Sequence, residues 1–277
     1  MRENDPADFW EDRALQWDTM EPPLRPCPKD TAIMRRLVDE WYGSAGNRSP
    51  RVLILGVTPE IATMPWPGGT RLLAVDSSPG MIRHVWPGRS WPNAAVVQGN
   101  WLAMPVRSGS SDVVIGDGFL SNMSYPEGYR AVKEELRRVV RPDGILALRL
   151  FGRRDPSEWP AEVVESMRAG LIGSFSAFRL RLMISVQKDL ASGVKLADVW
   201  EAWHEGVQEP ETVARALGWP PGAVKIMERY RGVQVAVTYP TVEELADVFS
   251  PEFSLAGCFY PEYELGDYHP TLLFRPM

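Results

Sequence analysis

Three residues at the ends of successive apolar runs have types and spacing that suit a nucleoside ligand. Gly56 closes RVLILG (51–56), Asp76 closes RLLAVD (71–76), and Asn100 follows AAVVQG (94–99). In LGVTPE (55–60), Gly56 can make the tight turn after a strand, and Thr58 can cap a helix that has Pro59 at its first position. A dinucleotide site would need G-x-G-x-x-G here, so that backbone amides and a helix end cradle the pyrophosphate. Only the first glycine is present, Pro59 lacks an amide donor, and Glu60 puts a negative charge where phosphates would lie. NAD and FAD are therefore disfavoured, and the expected ligand lacks phosphates. Asp76, about 20 residues beyond Gly56, stands where a carboxylate accepts both hydrogen bonds of a ribose diol. An acid at a strand end can equally be a helix cap. Asn100 offers a donor and an acceptor to a purine edge, and Trp101 or Met81 could cover the base, although GNWL (99–102) also reads as a plain polar turn.

Other reactive residues are less organised. His84, His204 and His269 are too dispersed for a metal site, and none is expected. His269, just before the last apolar run, is the candidate base if the nucleophile is an oxygen. Tyr129 and Lys133 have the Y-x-x-x-K spacing of short-chain dehydrogenases, where the lysine lowers the tyrosine pKa. They follow a turn unsuited to NAD, and are read as a chance pair solvated on a helix.

These residues need a scaffold that brings strand ends together. DVVIGDG (112–118) and GILALRLF (144–151) continue the series of apolar runs. Between them, YPEGYRAVKEELRRVVRPDG reads as a helix with Val132, Leu136, Val139 and Val140 on one face and a Pro-Asp-Gly stop. Strand and helix in repeated alternation predict a doubly wound α/β fold with a parallel sheet. From Asp155 to about Arg231 only helical periodicity is present, in stripes such as Phe175, Phe178, Leu182, Val186, Leu190 and Leu196, Val199, Trp200, Trp203, Val207. VQVAVTYP (233–240) is expected to re-enter the same sheet, followed by a helix at 241–249 and strands at 254–260 and 270–276. Residues 7–18 and 30–42 read as helices at the sheet's edge or mouth.

The pieces VLILGVTPE, LLAVDSSPGMI, VVQGNWLAMPV, SSDVVIGDGFL and LRRVVRPDGILALRL together resemble the class I S-adenosylmethionine-dependent methyltransferases, in order and spacing. The resemblance covers about residues 50–151, and the pair at 254–276 is similar to that family's closing hairpin. It implies a Rossmann-like, mostly parallel seven-stranded sheet with helices on both faces and a helical insertion before the last two strands. It implies S-adenosylmethionine as cofactor and S-adenosylhomocysteine as product. Gly56, Val57 and Thr58 would lie against the methionine portion, Asp76 would hold the ribose, and Ser77 and Met81 would flank the nucleoside. Asn100 and Trp101 would meet the adenine, and Asp117 with Gly118 would lie near the sulfonium. The opening FWEDRALQWD is similar to the helix such enzymes fold over the cofactor, which places Trp17 near it. Thr58 and Glu60 replace the family's second and third loop glycines, a change that a phosphate-free cofactor tolerates, and Glu60 is a candidate partner for the cofactor's ammonium.

The expected organisation is an N-terminal helical cap (1–46), a cofactor-binding core (47–151 plus 232–277) and a helical insertion (152–231) serving as a substrate lid. A net charge of −6 argues against nucleic acid and anionic membranes as partners and favours a small-molecule acceptor. The two cysteines, Cys27 and Cys258, suit a reducing compartment, and MRENDPADFW is acidic where a secretory leader would be basic and apolar, so the expected location is cytoplasmic. The competing class is a non-catalytic binding or regulatory protein of the same fold, with the altered glycine loop no longer serving catalysis.

Overall fold

In β1 (Arg51–Leu55), Val52 and Ile54 point to one side of the sheet and Leu53 and Leu55 to the other, and both sides are buried. Continuous aliphatic runs are stable as strands only when helices cover both faces. That arrangement is seen in a computed structural model, which describes residues 10–11, 14–15, 17–88 and 91–277. The main sheet comprises β1, β2 (Arg71–Asp76), β3 (Ala94–Gln98), β4 (Ser111–Asp117), β5 (Val140–Arg149), β8 (Phe253–Phe259) and β9 (Thr271–Pro276). Its order is β3-β2-β1-β4-β5-β9-β8. The first five strands are parallel, and β9 and β8 close the sheet antiparallel. Strand order reverses between β1 and β4, so the carboxyl ends at Leu55 and Asp117 open onto the crevice where this architecture binds ligands.

One face is packed by the Pro28–Ser44 helix through Met34, Leu37, Val38 and Trp41. The other is packed by the Glu127–Val139 helix through Val132, Leu136 and Val139, with Phe249 and Phe274. Val140 starts β5 instead of extending the helix face, and the Pro142-Asp143-Gly144 turn loops out inside that strand, where register jumps from Ser111↔Val140 to Val113↔Ile145. Tyr129 and Lys133 are not a solvated pair: both are buried, the tyrosine hydroxyl against Thr238 at 2.9 Å and the ammonium on Glu252 at 2.6 Å. Burial pushes the Tyr129 pKa up, opposite to activation as an acid.

The insertion has a core of its own, with Phe178, Leu182, Val199 and Trp203 all fully buried among the helices Pro160–Arg168, Phe175–Val186 and Leu196–Gly206. The 233–240 segment does not re-enter the main sheet. Only Ala236–Val237 (β7) is a strand, and it pairs antiparallel with β6 (Val194–Lys195). The edge of β5 is already taken by β9, and Leu196 and Ala197 hold the incoming segment through Val235 and Val233 carbonyls at 3.1 and 3.0 Å. At the front, Trp10, Glu11, Ala14 and Leu15 are helical and Trp17–Thr19 is a 3-10 turn. The remainder of the expected 7–18 helix, and residues 1–9 of the expected cap, lie outside the described residues.

Candidate functional site

Gly56 turns the chain with φ 94°, a left-handed backbone that favours glycine. A Cβ at this position would lie 3.9 Å from both Asp76 Oδ2 and the Trp101 ring, so the backbone, the carboxylate and the indole converge. Asp76 is 6% exposed; its Oδ1 accepts from the Ser78 amide at 2.8 Å, and no described group hydrogen-bonds Oδ2. Burial pushes this carboxyl up to about 6, against the Ser78 hydrogen bond that lowers it. Ser78 also caps the Pro79–His84 helix by accepting from the Met81 amide at 3.2 Å, which turns buried Met81 toward the same cavity. Trp101 is fixed by donating Nε1–H to the Val75 carbonyl at 2.7 Å, with its ring edge-on to Phe119 at 5.7 Å.

At the end of β4, Asp117 accepts from Arg149 Nη1 at 2.6 Å. Arg149 is 1% exposed and also donates to Asp30 (3.0 Å), the Pro23 carbonyl (2.7 Å) and the Tyr263 hydroxyl (3.0 Å). Burial pushes Asp117 up to about 6, and Arg149 opposes that rise.

These strand ends line one cavity, which brings together Trp17, Gly56, Val57, Thr58, Asp76, Met81, Trp101, Asp117 and Gly118. Three of the residues expected to hold the cofactor, and the expected base His269, lie outside its walls. Ser77 is exposed, with its carbonyl accepting from Gln98 Nε2 at 3.2 Å. Asn100 is exposed and spends Oδ1 on the Leu102 amide at 2.9 Å, the plain-turn alternative. Glu60 pairs with Arg25 at 2.5 Å, and that guanidinium lies 5.2 Å from the Trp17 ring. Thr58 occupies the cap position of a four-residue helix without a capping hydrogen bond from its side chain. His269 is fully buried behind Phe151, its Nδ1 bonded to the Leu265 carbonyl at 2.8 Å, and is not among the cavity walls. Burial drives its pKa well below 6.5, so the ring is neutral at physiological pH.

Sequence reading missed the rest of the wall. Trp10, Met20 and Leu24 come from the N-terminal segment, Leu55 from the end of β1, Phe119, Ser121, Asn122 and Phe151 from just beyond strand ends, Arg179, Met183, Leu196 and Tyr230 from the insertion, and Val237 and Tyr239 from the segment that follows it. Phe119 and Phe151 could have been found by extending the strand-end rule by one or two residues. Trp203 lies in the insertion's core and Trp200 stacks on His204 at 4.8 Å; neither lines the cavity. Among the described residues no group of three or more His, Cys, Asp or Glu side chains could hold a metal ion.

Residues 55–148 match the family model described as a methyltransferase domain. A search of curated proteins finds no match. The fold is similar to that of a Rhodobacter sphaeroides protein described as a Zn-dependent alcohol dehydrogenase, with TM-score 0.58 and 12% identity over 99% of this chain and 98% of that one. It is also similar to the N-methyltransferase NodS from Bradyrhizobium japonicum WM9 in complex with S-adenosylhomocysteine (TM-score 0.52, 11% identity, 98% of this chain and 99% of that one). A third similar structure is Burkholderia thailandensis 1,6-didemethyltoxoflavin-N1-methyltransferase, with bound 1,6-didemethyltoxoflavin and S-adenosylhomocysteine (TM-score 0.52, 14% identity, 99% and 91% covered). At these identities the likeness is one of fold.

Proposed function

We propose that the chain, whose residues 55–148 match a methyltransferase domain, is a class I S-adenosylmethionine-dependent methyltransferase that transfers the cofactor's methyl group to a small-molecule acceptor enclosed between the sheet and the 152–231 insertion. The observation that carries this reading is a continuous cavity whose walls run from Gly56, Asp76 and Asp117 to Met183, Leu196 and Tyr230.

The residues suit the cofactor. Asp76 Oδ2, which no described group hydrogen-bonds, can accept from a ribose hydroxyl, Gly56 allows close backbone approach, and Met81, Trp17 and Trp101 offer apolar faces to a base. Gly56, Val57 and Thr58 would take the methionine portion, and Asp117 with Gly118 the sulfonium end. When bound, S-adenosylmethionine supplies an electrophilic methyl group for in-line displacement. The chain's part is to align the acceptor and exclude water, and alignment alone can contribute on the order of 7–11 kcal/mol. Among the described residues the wall's two carboxylates are already assigned, Asp76 to the ribose and Asp117 to Arg149, and His269 is enclosed away from the wall, so a nucleophile that reacts without prior deprotonation is favoured. The net charge of −6 supports a partner other than nucleic acid or an anionic membrane. Among the described residues no helix is long and apolar enough to cross a membrane. Both cysteines are free thiols, which fits a reducing, cytoplasmic setting.

Calorimetry with S-adenosylmethionine, S-adenosylhomocysteine and NADH tests the cofactor assignment. The two sulfur nucleosides should bind and NADH should not. Tighter binding of NADH would refute the reading, and binding without any turnover to S-adenosylhomocysteine across an acceptor panel would favour the non-catalytic alternative.

A further inference from the structure

Arg179 is a buried cation for which the described residues supply no anion. It lies in the Phe175–Val186 helix, is 5% exposed, and lines the cavity with Met183 one turn further along. Among the described residues no carboxylate, carbonyl or hydroxyl accepts a hydrogen bond from its guanidinium, and Nε is buried without a partner. Its ring contact is with Phe175, at 5.7 Å. Arg181 shows how the same helix treats a cation that serves the fold: both Nε and Nη2 donate to Glu158, with Nε at 2.9 Å. Arg149, the other deeply buried arginine among the described residues, is matched by Asp30 and by Asp117, the latter at the cavity wall. A guanidinium cannot escape burial by losing its proton, and an uncompensated buried charge opposes folding. Its retention at a cavity wall is accounted for if the counter-charge arrives with a ligand.

The cavity's own acids, Asp76 and Asp117, sit at the ends of β2 and β4, and neither pairs with Arg179. With Arg179, the insertion contributes Met183, Leu196 and Tyr230 to the wall, and the segment that follows it contributes Val237 and Tyr239, so this part of the wall is otherwise apolar and aromatic. Resting on the methyltransferase reading above, we propose that Arg179 binds the acceptor, and that the acceptor is a carboxylate on an aromatic or apolar body. The planar fork of Arg179 would take both carboxylate oxygens, as bidentate arginine pairs do, while the rest of the molecule packs on the tyrosines. The cofactor's methionine portion also carries a carboxylate, so the test must separate the two sources.

The experiment uses the full chain. S-adenosylhomocysteine is titrated into the wild type and Arg179→Met, and each complex is then titrated with benzoate and with its uncharged isostere benzamide. The expected result is equal S-adenosylhomocysteine affinity in both proteins, with benzoate binding the wild-type complex about tenfold more tightly than benzamide and Arg179→Met losing that preference. The urea midpoint of ligand-free Arg179→Met should rise, because an unpaired charge has been removed. No benzoate preference in the wild type, a preference that survives Arg179→Met, or a fallen urea midpoint overturns the inference. A tenfold loss of S-adenosylhomocysteine affinity in Arg179→Met also overturns it, by assigning the guanidinium to the cofactor's carboxylate. Failure of the wild type to bind S-adenosylhomocysteine would instead sink the methyltransferase-site reading itself, an outcome visible before any carboxylate is added.

Discussion

Asp117 and Arg149 are register partners on adjacent parallel strands, and their side chains meet at 2.6 Å where β4 and β5 open onto the cavity. The same guanidinium reaches Asp30 at the start of the Pro28–Ser44 helix and the hydroxyl of Tyr263, which itself donates to Asp30 at 2.9 Å. One buried cation thus ties the sheet to the N-terminal segment and to the loop before β9. It also fixes the orientation of the carboxylate at the cavity wall.

Arg149→Met should therefore destabilise the protein by about 3–5 kcal/mol, because Asp30 and Asp117 would both remain buried without their counter-ion. Urea denaturation measures this. Adding Asp30→Asn and Asp117→Asn should recover part of the loss, since residues in one network are coupled. Unchanged stability in the single variant would mean that the network contributes nothing to the fold.

Asp76→Ala should weaken S-adenosylhomocysteine binding by about 1–3 kcal/mol, the value of a hydrogen bond to a charged acceptor. The fold should survive, because Asp76 is bonded only to the Ser78 amide among the described residues. Titration calorimetry together with the thermal midpoint separates the two effects. Unaltered affinity with a preserved midpoint would remove Asp76 from the site.

What the sequence disclosed and what it concealed follow from the range of the interactions. Gly56, Asp76 and Asp117 were legible because a parallel strand ends where its apolar run ends, and backbone topology alone brings those ends together. Glu60 and Asn100 have the right positions in the chain, but their side chains are diverted by Arg25 and by the Leu102 amide. Neither partner is signalled by local pattern. Arg179 was hidden for another reason: it sits within a helix whose other buried positions are almost all apolar, and only packing shows that it faces the cavity. The 233–240 segment has the alternation of a strand, yet β9 had already closed the edge it would have needed.

The pH dependence of cofactor binding follows from Asp76. Its carboxyl is pushed up to about 6 from 3.8 in the ligand-free fold, mainly by burial. A raised acid pKa contributes stability that is fully present below 3.8 and is lost as pH rises through about 6, because the folded state holds the proton more tightly. A ribose hydroxyl prefers the charged form as acceptor, so affinity for S-adenosylhomocysteine should be high at neutral pH and fall below about 6. Asp76→Asn should flatten that profile in part, the remainder belonging to Asp117, which burial also places at about 6. A wild-type affinity independent of pH between neutrality and the acid side of this range would show that neither carboxyl titrates on binding.

The insertion should behave as a lid with a core of its own. Trp203 is fully buried, 5.8 Å from Phe178 and 6.0 Å from Trp219 between ring centroids, whereas Trp200 is only half-buried and hydrogen-bonds Glu228 at 3.1 Å. Trp203→Ala should therefore cost about 3–5 kcal/mol, while Trp200→Ala should be far milder; neither should directly alter S-adenosylhomocysteine affinity, since neither residue lines the cavity. The two chain crossings between insertion and core lie side by side, with the Arg153 amide donating to the Pro240 carbonyl at 3.1 Å and the Thr238 amide to the Ser121 carbonyl at 2.9 Å. A unit whose chain enters and leaves at one paired crossing, and whose other ties to the core, such as the Gly173 amide on Glu264 at 2.9 Å, are outside the strands, can open without breaking the sheet's ladder. Native-state hydrogen exchange should accordingly show the helices between Pro160 and Gly206 opening more readily than β1 and β4, which lie inside the seven-stranded sheet with partners on both sides. Ligands that bridge the strand ends and the insertion should slow that opening, because they bind only the closed form. Equal protection of the insertion helices and the central strands would show that the two parts open as one unit, and the lid would have to be abandoned.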